Sequence, residues 1–145
     1  MNLTGQCLCG AVQYAVEGDP LFVFLCHCHD CQQSSGSLVH FGVMVPESGF
    51  KRQGEVRAYV TRGEGGREIT REFCPICGSG VNNRLARAPD MVVIKGGTLD
   101  DPTAVAPTFE VYARSKASCL GSGARLESFE QGLTADPRTL MWKGP

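Results

Sequence analysis

The chain has 145 residues, 42% of them hydrophobic, with 18 Gly, 8 Pro and 8 Cys and a formal net charge of -1. Its length predicts one domain over residues 1–145 around one core, and its near-neutral charge excludes the broad basic field that holds nucleic acid or an anionic membrane. No apolar run approaches the roughly 18 residues needed to span a bilayer, and the first residues carry neither a basic nor an apolar leader, so a cytoplasmic, reducing location with free thiols is expected.

Frequent Gly and Pro without long helical periodicity point to a mainly β chain of short strands. Residues Gly10–Val16 alternate as a half-buried strand does and stop at Gly18-Asp19-Pro20. Leu21–Leu25 is an apolar run of strand length that leads straight into Cys26. The polar stretch Cys26–Gly36 is unsuited to a core and is the place where chemistry is expected, and its Ser34-Ser35-Gly36 end reads as a loop or a single helical turn. Leu38–Val45 has strand composition and ends at Pro46. Val56–Thr61 and Glu68–Phe73 flank Arg62-Gly63-Glu64-Gly65-Gly66-Arg67 and form a hairpin; no Lys-Ser/Thr follows these glycines, so they do not read as a phosphate loop. Ser79–Arg84 and Met91–Ile94 complete a series of seven or eight strands, with one more expected within Phe109–Lys116. No linker separates a second domain, so metal sites would tie distant strands of one sheet system.

Four cysteines form a split pair, Cys7-x-Cys9 and Cys74-Pro75-Ile76-Cys77-Gly78. Structural zinc takes four ligands in a tetrahedron, and two short clusters meeting across a sheet supply them, which favours zinc over a disulfide pairing in a reduced chain. Gly78 suits a tight turn of positive φ after the second thiolate. The second cluster, Cys26-His27-Cys28-His29-Asp30-Cys31, supplies three thiolates within six residues. Three protein ligands with an open position are the arrangement of catalytic zinc, and a metal already carrying three thiolates suits a soft incoming thiol. The alternative is a second closed site completed by His27, His29 or another side chain. In an extended stretch these histidines face away from the cysteines and act as supporting or surface residues. Filling both sites with seven thiolates and two zinc ions would take the formal charge to about -4. Cys119 reads as a small buried apolar residue, with thiol redox chemistry as the competing role, and His40 as a surface or hydrogen-bonded histidine.

The segments Gly5-Gln6-Cys7-Leu8-Cys9-Gly10-Ala11-Val12-Gln13-Tyr14, Cys26 to Cys31 with Ser35-Gly36, Phe73-Cys74-Pro75-Ile76-Cys77-Gly78 and Gly97-Thr98-Leu99-Asp100-Asp101-Pro102 together resemble the glutathione-dependent formaldehyde-activating enzyme family, also called the centromere protein V domain family. The likeness runs over residues 5–116. It implies a single zinc-tied domain of the β-tent type built from short antiparallel strands. It also implies two zinc ions per chain, structural at Cys7, Cys9, Cys74 and Cys77 and catalytic at Cys26, Cys28 and Cys31. The implied activity is that of a carbon–sulfur lyase joining or cleaving a glutathione thiol and a small aldehyde such as formaldehyde, as in S-(hydroxymethyl)glutathione synthesis. A non-catalytic zinc module that binds a protein partner is the alternative. Many members carry arginine where this chain has Gln32 and tryptophan where it has Cys119, and Arg52, Arg84 and Lys95 are the candidate substitutes for that arginine as partners of a glutathione carboxylate.

Overall fold

A computed structural model describes residues 1–121, 126–133 and 136–144. The strands are β1 (Asn2–Gln6), β2 (Gln13–Glu17), β3 (Phe22–Cys26), β4 (His40–Pro46), β5 (Phe50–Gln53), β6 (Arg57–Arg62), β7 (Glu68–Phe73), β8 (Gly80–Leu85), β9 (Ala88–Lys95), β10 (Phe109–Val111) and β11 (Glu127–Phe129), with one short helix, α1 (His29–Ser35), between β3 and β4. The mainly β expectation holds. Three strands were not foreseen: β1 and β5 each carry a single large apolar residue facing the core, and β11 is three residues long, so none has a legible alternation.

The strands form a three-stranded sheet, β1-β2-β5, and an eight-stranded sheet in the order β11-β10-β3-β4-β9-β8-β7-β6. Neighbours among β1 to β9 pair antiparallel, whereas β10 runs parallel to both β3 and β11. Between the sheets, Leu3, Tyr14 and Val16 of the small sheet join Val23, Val43, Val45, Val92 and Ile94 of the large one in the main core. Burial of each such aliphatic side chain stabilises by roughly 1.5–3 kcal/mol, which fixes the register of the strands that carry them.

A strand alternates its side chains between two faces. With Val23 in the core, Phe22, Phe24 and Cys26 necessarily line the other face of β3. Pairing registers extend that face across the sheet: Cys26 lies opposite His40, Phe24 opposite Gly42 and Phe109, Gly42 opposite Lys95, and Arg71 opposite Asn83. Gly42 is required by this packing, because a Cβ there would stand 2.5 Å from Phe24 Cζ. Phe24 thus occupies the space beside Gly42 and stacks on Phe109 with ring centroids 5.6 Å apart.

Candidate metal centres and the adjoining cleft

The loop after β1 carries Cys7 and Cys9, and the turn between β7 and β8 carries Cys74 and Cys77. Their four Sγ atoms lie within 4.8 Å of one another. The separations Cys7–Cys9, 3.6 Å, and Cys9–Cys74, 3.8 Å, match the roughly 3.8 Å edge of a tetrahedron built on Zn–S bonds of about 2.3 Å. They far exceed a disulfide bond of about 2.05 Å. The surrounding backbone suits thiolates: Val12 N–H donates to Cys7 Sγ at 3.3 Å. The Ser79 hydroxyl and N–H lower the pKa of Cys77 to about 5. Gly78 adopts φ +75° and donates its N–H to the Cys74 carbonyl, closing the turn on which both thiols sit.

The second group, Cys26, Cys28 and Cys31, also brings three Sγ atoms within 4.8 Å of one another. Cys26 ends β3 on the cleft face. Cys28 caps α1, its Sγ accepting from Cys31 N–H at 3.3 Å, and this turn swings Cys31 back toward the other two. The helix runs from His29 to Ser35 and is closed by Gly36, so it begins well before the Ser34-Ser35-Gly36 end where a loop or single turn is expected. Hydrogen bonds from the Cys26 and Cys31 thiols, the Cys31 N–H and the charge of Arg71 outweigh burial and lower the pKa of Cys28 to about 2. Three sulfurs at this spacing fit a zinc ion. Among the described residues no His, Asp or Glu atom joins the group as a fourth ligand.

The flanking histidines take different paths. His27 is 1% exposed and turns away from the sulfurs, its Nε2 lying 2.8 Å from Glu110 Oε2, which in turn accepts from Lys116 Nζ at 3.0 Å. It is a buried anchor between β3 and β10, not a surface residue. His29 is exposed on α1 and lines the cleft. Gln32 donates its amide to the carbonyls of His27 and Ser115, at 2.9 and 3.0 Å, and so ties α1 to the segment after β10.

Above the three sulfurs lies a cavity of about 170 Å³. Three buried polar side chains line it with an atom that has no hydrogen-bond partner among the described residues: His40 Nε2, Arg71 Nε and Asn83 Oδ1. His40, expected at the surface or hydrogen-bonded, is instead 4% exposed, and burial together with the charge of Lys95 drops its pKa to about 3, leaving a neutral imidazole. Arg71 bonds the Thr61 hydroxyl through one Nη and lies 3.8 Å from Asp30 through the other. Lys95 is buried on the same face, and desolvation lowers its pKa. Arg71 and Lys95 offset the negative charge of a trithiolate metal site.

Arg71 and Asn83 did not stand out in the sequence because only the pairing of β7 with β8 sets them side by side. Of the proposed cation substitutes, Lys95 faces this site, but Arg52 and Arg84 do not. Both are held on the opposite face by Glu72, at 2.8 and 3.1 Å. Cys119, expected to be buried, is exposed on the turn Ser118–Leu120.

The cavity opens into a larger one of about 470 Å³, with Phe24, Met44, Ile69, Leu85, Val111 and Tyr112 lining both. Tyr112 holds φ 57°, an uncommon left-handed conformation for a bulky residue, at the join. Among the described residues no helix is long and apolar enough to cross a membrane.

Among curated proteins none matches the sequence. The crystal structure of a Rhodobacter sphaeroides protein, a structural-genomics target, aligns with a TM-score of 0.55 over 87% of this chain and 98% of that one, at 19% identity, a likeness of fold. The family model described as glutathione-dependent formaldehyde-activating enzyme matches residues 2–115, a stretch that contains both cysteine clusters and the polar wall facing the second. The chain belongs to that family.

Proposed function

We propose that the protein is a zinc-dependent carbon–sulfur lyase that joins a glutathione thiol to a small aldehyde and catalyses the reverse cleavage. The observation that carries this reading is a three-cysteine cluster facing a buried wall of Arg71, His40 and Asn83, each of which presents one unpartnered polar atom. Zinc held by Cys26, Cys28 and Cys31 would supply an open coordination position that keeps an incoming thiol in its nucleophilic thiolate form. In the forward direction the sulfur forms a bond to the carbonyl carbon, the carbonyl π pair moves onto oxygen, and that oxygen takes up a proton equivalent to the one the thiol released. Arg71 meets the charge developing on oxygen, neutral His40 holds that oxygen by hydrogen bonding, and Asn83 Oδ1 accepts from the hydroxyl formed once the oxygen has taken up its proton. Cleavage runs these changes backwards. Cys7, Cys9, Cys74 and Cys77 would hold the structural zinc.

The test is cobalt substitution of the reduced protein. Glutathione should shift the ligand-field spectrum of the site that Cys28→Ser removes, and exchange between formaldehyde and S-(hydroxymethyl)glutathione, followed by NMR, should accelerate only with an intact site. A cobalt spectrum indifferent to added thiol would overturn the enzymatic reading. A partner-binding role has one supporting feature, Leu8 and Ile76, which are 89% and 75% exposed at the tips of the two structural cysteine turns. Loss of a binding partner with unchanged thiol response in Leu8→Ser would favour it.

A further inference from the structure

We infer that Arg67 and Arg87 select the thiol substrate by holding the charged ends of its tripeptide body at the rim of the outer cavity, an inference that rests on the lyase reading above. Formaldehyde is little larger than a water molecule, whose share of liquid volume is about 30 Å³. The inner cavity of about 170 Å³ has room for that carbonyl and for a sulfur with its methylene group. The outer cavity of about 470 Å³ has the size of a site for a whole small molecule. In this arrangement the thiol passes the join at Tyr112 and the body stays outside it.

The charges of the rim are the inverse of those of the body. Arg67, Arg87, Glu64 and Glu68 line the outer cavity, and Arg87 and Glu64 line the inner one too. Glu64 is paired with Arg114. That leaves two guanidinium groups and one carboxylate, Glu68. Arginine ion pairs among the described residues involve Arg52, Arg71, Arg84, Arg114 and Arg138, and neither Arg67 nor Arg87 is so engaged. Glutathione offers two carboxylates and one ammonium group, so each of its charges finds an opposite one at the exposed rim, where desolvation costs least. Its methylene groups would lie on the apolar floor of Phe24, Ile69, Leu85 and Leu133.

The fold brings the two arginines together from two turns. Ala86 N–H donates to the Glu68 carbonyl at 3.1 Å and so joins the β8–β9 turn to the start of β7; Arg67 precedes the one residue and Arg87 follows the other. Like charges on adjoining turns repel, and an anion at the rim relieves that repulsion. Gly65 places one of them. A Cβ there would stand 2.9 Å from Arg67 Nη2 and 3.2 Å from its Cζ, so the guanidinium lies folded over the bare backbone of the β6–β7 hairpin. Arg52 and Arg84, which the sequence offered as carboxylate partners, are instead held on the opposite face by Glu72.

The experiment uses the full zinc-loaded chain with formaldehyde and either glutathione or 2-mercaptoethanol, a thiol without charged ends, and follows exchange by NMR. Arg67→Gln combined with Arg87→Gln should raise KM for glutathione by about 10-fold or more, as the loss of charge-assisted hydrogen bonds does. The kcat should hold, because these contacts are the same before and during the chemical step, and KM for 2-mercaptoethanol should move by no more than about twofold. Unreactive S-methylglutathione should compete with glutathione in the wild type and lose about 10-fold in potency in the double variant. Raising KCl from about 50 to about 500 mM should erode the wild-type preference for glutathione over 2-mercaptoethanol, and that salt response alone decides the matter if the variant does not fold. Turnover of both thiols with a preference unmoved by salt and by the substitutions overturns this inference and leaves the lyase reading standing. Absence of turnover with either thiol, with a cobalt spectrum indifferent to thiol, defeats the lyase reading and this inference with it.

Discussion

Cys28 concentrates the negative charge of its cluster. Two neighbouring thiols and the Cys31 N–H point at its sulfur, and Arg71 adds a positive charge nearby. Such an arrangement offers a divalent cation one sulfur already deprotonated at neutral pH, and binding to all three displaces the protons of Cys26 and Cys31. Cys28→Ser should therefore lower the zinc content from two per chain to one and abolish thiol exchange. The fold, anchored elsewhere, should melt within a few degrees of the wild type; metal analysis alongside thermal denaturation checks both halves. On the proposed lyase reading, Arg71 acts on the other reactant. Arg71→Gln should reduce kcat/KM by about 10²- to 10³-fold, the usual effect of losing one donor to a developing oxyanion, while both zinc ions remain bound. Arg71→Lys, which keeps the charge without the planar fork, should recover part of that loss in the same assay.

Strands β3, β4 and β10 hold the site through two contacts that sequence alone does not display. Gly42 is one. Its substitution by Ala would drive a methyl into the Phe24 ring at 2.5 Å and tilt the aromatic wall. A loss of about 1–3 kcal/mol in chemical denaturation is expected from such overpacking. Glu110 is the other, joined to His27 and Lys116 beneath the cluster. Burial raises its pKa, but hydrogen bonds from Lys116 and His27 prevail and keep it below its ordinary value of 4.5. A lowered carboxylate pKa contributes stability that is full above the unfolded value and disappears as pH falls through the folded one. The difference in melting temperature between wild type and Glu110→Gln should thus be largest above pH 5 and close as the pH drops toward 3. The sequence disclosed β3 through its continuous apolar run and β7 through its glycine hairpin, because those signals are local. It concealed Gly42, Glu110, Arg71 and Asn83, whose roles depend on strands that are remote in sequence until β10 docks beside β3 and β7 beside β8.

At the scale of the molecule, the two cysteine groups do different mechanical work. The members of each group were legible from spacing, since short cysteine intervals are themselves a local signal, but which parts of the fold they join was not. The four-cysteine group links the loop after β1, in the small sheet, to the turn before β8, in the large one. The three-cysteine group joins only the end of β3 to the helix that follows it at once. A metal that closes a loop of more than sixty residues, Cys9 to Cys74, restrains the unfolded chain far more than one that closes six. Structural zinc can supply about 10 kcal/mol or more of apparent folding free energy, as much as the whole net stability of an ordinary domain of about 5–15 kcal/mol. Graded chelation should therefore release the zinc in two steps. The first, from Cys26, Cys28 and Cys31, should abolish the thiol response and leave the far-UV circular dichroism of the β sheets intact. The second, from Cys7, Cys9, Cys74 and Cys77, should coincide with loss of that signal. Cys74→Ser should reach the second state directly, unfolded or aggregated without any chelator. Retention of sheet structure by a fully metal-free protein would show that contacts between the sheets, centred on Val16, Val23, Val43 and Ile94, suffice without the metal.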